Sequence, residues 1–476
     1  MITPRGMSAA ADAPRLVLGL LRAGDVFLVI ASGIASYRLR HDNLYLPDYY
    51  LIAIVIGALV AANAMQFAGV YSIRSLLRLS TQVGQLAVGW GVIVVCLTVI
   101  TYFTKTSEEF SRVWLALWVA LAFVLMLAER IVAHWQLAHW QRMGRLKISI
   151  AIVGATELAL RLVRQVQGQG AEQFRLVGVY DDRTTRLPPS LGELGVRRAG
   201  NLADLVARFR EEPIDEIVLA LPWSESVRIK AILKDLRTLP TNVRLCPETV
   251  GFELPVHGFA TIAGVPMLGI FERPLAGWNV VAKAIEDRMV GALVLFLVLP
   301  LMAWIALAIK LTSPGPVLFG QRRYGFNNNE FVLYKFRTMV PDPGPADKDA
   351  VAQATRNDPR VTRLGAFLRR TSLDELPQLF NVLKGDMSMV GPRPHAVAHN
   401  RQFADLIDDY LSRHRVKPGM TGWAQVNGLR GEIDTPQKIQ LRVQYDLYYI
   451  DNWSLLFDLK ILLLTLFVGF VHENAY

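Results

Sequence analysis

Four long apolar blocks fill the first third of the chain, roughly Leu16–Leu39, Tyr50–Tyr71, Val83–Phe103 and Val113–Val132. Each approaches the roughly 20 residues that an α-helix needs to cross bilayer hydrocarbon, so the pattern predicts a four-helix transmembrane region over residues 1–140. Arg22 and Asp25 interrupt the first block, which separates it from a cleaved signal peptide. Their i,i+3 spacing predicts a local ion pair. Over residues 147–264 the pattern changes to short apolar runs alternating with amphipathic stretches. Ile148–Val153, Leu176–Tyr180 and Glu216–Leu221 read as buried strands and Glu157–Val166 as a helix, which predicts a parallel, Rossmann-like sheet. A fifth apolar run, Met289–Ile309, is long enough to span, but Pro300 sits near its centre and basic residues flank both ends. Proline removes a helical hydrogen bond, so the reading is a re-entrant helix-break-helix with both flanks on the cytoplasmic side. The last run, Lys460–Val471, is too short to span and predicts a segment in the membrane interface or the core.

Composition and charge narrow the class. At 476 residues with 52% hydrophobic content the chain has room for about three domains, the apolar excess lying in discrete blocks. Two cysteines, Cys96 and Cys246, imply no disulfide framework. A formal charge of +10 points to anionic partners, and no aromatic-basic motif directs it to nucleic acid. Arg5, Arg15, Arg74, Arg78, Arg142, Arg145 and Lys147 outnumber Arg38, Arg40, Lys105 and Arg112 on the opposite loops. That bias puts both ends of the helical region, and the chain beyond it, in the cytoplasm.

Candidate chemistry is concentrated after the fifth run. Asp374 and Glu375 stand together behind Arg369 and Arg370, and Ser372 with Glu375 also reads as a capping box. Two meanings stay open: a helix cap, or carboxylates held ionised by a helix N-terminus and arginines, able to attack phosphorus. Pro377 delays the helix start by a few residues. Lys335 and Arg337 share one face of a strand, as a phosphate grip or a solvated face. Arg393 lies in Gly391-Pro392-Arg393-Pro394, where prolines fix the backbone and Gly385 and Gly391 let a ligand approach closely. Asp386 suits a structural role and Trp423 a packing one. Gly154 reads as a tight strand-to-helix turn, since the later glycines of a dinucleotide fingerprint are missing. This disfavours an NAD-dependent enzyme.

The segments Lys335-Phe336-Arg337-Thr338-Met339, Leu373-Asp374-Glu375-Leu376-Pro377-Gln378-Leu379-Phe380-Asn381, Gly385-Asp386-Met387-Ser388-Met389-Val390-Gly391-Pro392-Arg393-Pro394 and Lys417-Pro418-Gly419-Met420-Thr421-Gly422-Trp423-Ala424-Gln425-Val426-Asn427-Gly428 resemble the bacterial sugar transferases, monotopic polyprenyl-phosphate hexose-1-phosphate transferases. The resemblance covers residues 281–476. The preceding architecture is similar to large members that start exopolysaccharide or O-antigen (lipopolysaccharide) repeat units. It implies a multi-pass inner-membrane protein of mixed α/β class with a catalytic domain facing the cytoplasm. It further implies that Asp374 attacks a UDP-sugar, releasing UMP, and that undecaprenyl phosphate then takes the phosphosugar. Mg2+ would be held at Asp374 and Glu375, with Glu375 as ligand or orienting base. Lys335, Arg337, Arg370, Gly391, Pro392 and Arg393 would bind phosphate or nucleotide. The expected sugar is glucose, with UDP-galactose or a non-catalytic nucleotide-sensing subunit as alternatives. A homodimer built on the Rossmann-like unit stays open.

Overall fold

The computed structural model describes residues 12–42, 45–106, 109–168, 170–183, 198–248, 260–340, 358–395, 397–407, 409–429 and 435–468. Arg5 and the end of the C-terminal apolar run lie outside them. The chain divides into two compact units, Ala9–Lys147 and the residues from Ile148 onward.

The first unit is built from α1 (Ala13–His41), α2 (Asp48–Phe67), α3 (Leu79–Phe103) and α4 (Arg112–Arg142). Each is long and apolar enough to cross a membrane. Helix α1 packs on α2 and α4, and α3 on α2 and α4, around Ile54, Met65, Leu86, Trp114 and Met126. Indole N–H groups find carbonyls across helices: Trp114 donates to Gly33 at 3.1 Å and Trp118 to Val29 at 2.8 Å. The expected Arg22–Asp25 pair does not form. Asp25 is buried and takes Arg130 of α4 as its ion-pair partner, with the Tyr71 hydroxyl donating at 2.6 Å. Arg22 lies over the Tyr71 ring instead, 5.9 Å from its centroid. A carboxylate on the packed face gains more from a buried guanidinium across the interface than from a neighbour one turn away.

The second unit opens with β1 (Ile148–Val153), α5 (Glu157–Gln167), β2 (Phe174–Tyr180), β3 (Arg198–Gly200), α6 (Leu202–Glu211), β4 (Glu216–Leu219), α7 (Ser226–Leu236), β5 (Asn242–Leu245), β6 (Ala260–Ile262) and β7 (Val265–Phe271). The sheet order is β3-β2-β1-β4-β5-β7-β6, with parallel pairing from β3 through β5 and antiparallel pairing of β5, β7 and β6. The 3-2-1-4-5 order is the Rossmann arrangement. Gly154 makes the expected turn: its φ is +103°, and a Cβ there would lie 2.8 Å from the Ala220 carbonyl oxygen. The neighbouring Ala155 N–H, which a phosphate would take in a nucleotide-binding loop, donates to Asp181 at 2.7 Å. Arg228 covers the same carboxylate at 2.6 Å.

The chain continues through α8 (Trp278–Thr312), β8 (Leu318–Tyr324), β9 (Glu330–Phe336), α9 (Arg363–Arg370), α10 (Gln378–Lys384), β10 (Ser388–Val390), α11 (Val397–Leu406), β11 (Gly419–Thr421), α12 (Pro436–Asp451) and α13 (Leu455–Val468). Strands β8 and β9 form an antiparallel hairpin, while β10 and β11 pair in parallel. Gly391 follows β10, and a Cβ on it would sit 2.5 Å from the Lys417 carbonyl oxygen. Close approach at this glycine thus brings two backbones together.

Helix α8 runs unbroken through Pro300, so the predicted helical break is absent. One face packs along its whole length. Gly291 meets Val382 and Leu383 of α10, and Met302, Ile305 and Ile309 join Phe336 and Leu368. The other face leaves Phe296 75%, Trp304 74% and Leu311 78% exposed. Near its start, Lys283 pairs with Asp287 at 3.0 Å and with Asp458 of α13 at 2.6 Å. Asp287 accepts from the Ser388 hydroxyl at 2.8 Å and the Met389 amide at 2.9 Å, which fastens α8 to β10. Helix α13 starts earlier than the apolar run suggested, buries Asp458 and Ile461, and exposes Leu456 and Phe467.

Candidate active site

Asp374 and Glu375 occupy a 3₁₀ turn, Leu373–Glu375, between α9 and α10. Ser372 before it has left-handed backbone, φ 58°, and makes no capping bond to the turn. The capping box is therefore not formed: the Glu375 side chain leaves toward cations. Helix α10 begins only at Gln378, after Pro377, as the proline predicted. Leu373 and Leu376 pack on an apolar cluster in which Phe336 and Leu368 join Met302, Ile305 and Ile309 from the second half of α8.

Glu375 accepts from Lys335 Nζ at 2.8 Å through Oε1. Arg393 grips it with both ends of its fork, Nη2 to Oε1 at 2.6 Å and Nη1 to Oε2 at 3.1 Å. Burial opposes ionisation of Glu375, but Arg393 and Lys335 outweigh it and hold the carboxyl well below its usual range. Asp374 differs. Its nearest cation is Lys335, 3.9 Å from Oδ2. Burial pushes its pKa up to about 6, with Lys335 opposing and the Glu375 charge adding to the rise. The adjacent carboxylates expected to share one setting are thus held unequally. Glu375 is the one gripped by cations, and the turn is no helix N-terminus.

Of the remaining expected residues, Lys335 and Arg393 meet at Glu375. Arg337, buried just past β9, donates to the Ser313 carbonyl at 2.8 Å and hydroxyl at 2.7 Å, closing the end of α8. It does not join Lys335 at Glu375, because its guanidinium is taken up by Ser313. Arg370 is exposed, while Arg369 donates to Thr338 at 2.9 Å and lowers the Asp374 carboxyl electrostatically. The Pro392 carbonyl accepts from Gly419, and Gly391 from its amide bonds Thr421, so these two shape the Arg393 loop. Asp386 pairs with Lys384 at 3.0 Å. Trp423 packs on Phe457 with ring centroids 5.0 Å apart.

Two contributors escaped the sequence reading. Asn381 in α10, fully buried, donates to the Val332 carbonyl at 2.7 Å and accepts from the Tyr334 amide at 3.1 Å, which holds β9 and hence Lys335. Arg323 on β8 lies beside Arg393, which lowers its pKa electrostatically. Its only signal was a second basic residue in Arg322-Arg323.

Lys335 and the Arg393 fork on Glu375, beside an apolar helix, form a cluster of the kind suited to anionic groups. The family described as bacterial sugar transferase matches residues 278–472, and a CoA-binding domain family matches residues 66–247. The chain belongs to the bacterial sugar transferase family. It is 41% identical over 403 residues to the UDP-glucose:undecaprenyl-phosphate glucose-1-phosphate transferase of Escherichia coli (strain K12), an alignment covering 84% of each chain. The proteins of the same name from Klebsiella pneumoniae and Xanthomonas campestris pv. campestris are 36% and 35% identical. Those alignments cover 97% of both chains in the first case, and 100% of this chain and 97% of the relative in the second.

Proposed function

We propose that this protein moves glucose 1-phosphate from UDP-glucose to undecaprenyl phosphate, giving undecaprenyl-diphospho-glucose and UMP, through a covalent intermediate on Asp374. The reaction would be the first membrane step of exopolysaccharide assembly, with the Asp374 turn facing the cytoplasm. The donor and acceptor follow from the near full-length relatives and what their names say they act on.

The observation that supports the covalent route is the unequal treatment of adjacent carboxylates: Glu375 is held by three charge-assisted hydrogen bonds, Asp374 by none within hydrogen-bond distance. A nucleophile must keep an oxygen lone pair uncommitted. In the first half-reaction an Asp374 oxygen bonds to the sugar-bearing phosphorus while the bond from that phosphorus to the bridging oxygen breaks. The bridging oxygen leaves on UMP with its electron pair. In the second, a phosphate oxygen of undecaprenyl phosphate attacks the same phosphorus, and the Asp374–phosphorus bond breaks. Lys335, near both carboxylates, offsets negative charge as the donor approaches. Attachment of the turn to α8 supplies a route for the lipid acceptor, and the exposed faces of α8 and α13 suit contact with membrane lipids.

Among the described residues no group of three or more His, Cys, Asp or Glu could hold a metal ion. Both Glu375 oxygens are committed to Lys335 and Arg393, which leaves Asp374, of this pair, to bind a cation. A single carboxylate fits Mg2+, which takes its other ligands from waters and substrate phosphates, and bound there it would neutralise diphosphate charge. Glu375 fits the role of orienting residue for Lys335 and Arg393.

The test uses purified full-length protein and UDP-[14C]glucose without acceptor. Wild type should release about one UMP per chain and retain label on protein. Asp374→Asn should lose both by about a thousandfold or more, and Glu375→Gln should lose about a hundredfold through misplaced cations. Full activity of Asp374→Asn sinks the covalent route.

A further inference from the structure

Next to the Glu375–Arg393 pair lie buried nitrogen donors that the reaction above leaves unused. Arg393 is matched by Glu375, and Arg413 by Asp446 at 2.7 Å. Arg323 has no such match. Its guanidinium reaches the Gln321 side-chain oxygen at 2.7 Å and the Pro394 carbonyl at 3.4 Å, both neutral. Its Nε–H is buried without an acceptor. Burial and the neighbouring Arg393 charge lower its pKa to about 10.

His395, 8% exposed, is the second donor. Its Nδ1 lies 3.2 Å from Arg413 Nη1 and 2.5 Å from the Tyr410 hydroxyl. A guanidinium can only donate, so Nδ1 accepts and the ring proton sits on Nε2. That Nε2–H is also buried without a partner. Burial, with the charges of Arg413, Arg442, Arg323 and Arg393, keeps the ring neutral. An unmatched guanidinium against another, beside an unanswered N–H, is unfavourable unless an anion completes it.

Two phosphates of the donor must be held at once. The one that reacts has to reach Asp374, whose nearest cation is Lys335. Arg393 grips Glu375, the residue after Asp374, and its charge acts on Arg323, so charged groups link Arg323 to the nucleophile, as a second phosphate of the donor requires. We infer that Arg323 and His395 form the seat of the nucleotide's own phosphate, the group that departs as UMP. The assignment rests on the donor proposed above.

Titration calorimetry of full-length protein with UMP and with uridine isolates the phosphate, because the ratio of the two affinities is taken within one preparation. Wild type should bind UMP more tightly than uridine. Arg323→Gln should reduce that preference by about tenfold or more, and Arg323→Lys by less, since it keeps charge without the planar donors. An unchanged preference in both variants overturns the seat. So does an unchanged preference with a raised KM for undecaprenyl phosphate in Arg323→Gln, which would give the site to the acceptor. Wild-type protein that binds neither UMP nor UDP-glucose overturns the donor and the seat together, whereas normal nucleotide binding with an active Asp374→Asn removes only the covalent route.

Discussion

Glu375 receives Lys335 at 2.8 Å and the Arg393 fork, while Asp374 beside it has Lys335 no nearer than 3.9 Å. Adjacent carboxylates of one turn thus end with pKa values driven apart, Glu375 well below its usual range and Asp374 up to about 6. Such a separation marks a division of roles. The attacking form of Asp374 is the anion, which predominates above its pKa, so UMP release in the absence of acceptor should rise with pH through about 6 and then level. Omitting the acceptor matters, because a phosphate monoester also titrates near 6. In Glu375→Gln the repelling charge is gone and Lys335 is freed, and both changes favour the Asp374 anion. The acid limb of kcat/KM for UDP-glucose should therefore move to lower pH even as the rate falls. A limb that stays in place in this variant assigns the titration to another group.

The elements around the turn explain how a charged site stays ordered beside an apolar helix. Asn381 serves as a substitute strand for β9, donating to one carbonyl and accepting from one amide from inside α10. Asn381→Ala removes the partner of both backbone groups and empties a fully buried side-chain position. The expected loss is about 2–4 kcal/mol, seen as a lower apparent Tm of the full-length protein, with Lys335 displaced and UMP release reduced. An unchanged Tm would mean water reaches those groups. At this scale the sequence was readable where the signal is local. Apolar length delimited α1–α4, strand-helix alternation predicted β1, α5, β2 and β4, and the helix start after Pro377 followed from one ring. What escaped depends on partners far along the chain. Asp25 lies 105 residues from Arg130, and no spacing rule reaches that distance. Ser372 and Glu375 match a capping box in type and spacing, but left-handed backbone at Ser372 turns the segment away from it. Lys335 and Arg337 alternate correctly for one face, yet Lys335 is taken by Glu375 and Arg337 by Ser313, a partner no spacing rule indicates.

For the molecule as a whole, the decisive element is α8. At 35 residues it would measure about 52 Å if straight, well beyond bilayer hydrocarbon. Both ends nevertheless hold the same domain: Lys283 binds Asp458, and Ile305 and Ile309 pack with Phe336 and Leu368. A helix that carried its C-terminal end across the bilayer would have to take the charged turn that leans on Met302 and Ile305 into lipid, and buried carboxylates and arginines there are costly. Entry into one leaflet, with the exposed Phe296 and Trp304 face toward lipid and both flanks cytoplasmic, avoids that cost; it requires the continuous helix to bend, and Pro300 is the residue at which it can. Single cysteines at Asn279 and Arg322, both exposed, bracket the helix. With Cys96 replaced by Ala and Cys246 left fully buried, a membrane-impermeant maleimide should label neither site in intact cells and both after permeabilisation. Labelling of Arg322→Cys but not Asn279→Cys from outside would make α8 a crossing helix and put the Asp374 turn on the wrong side of the membrane for a cytoplasmic nucleotide donor.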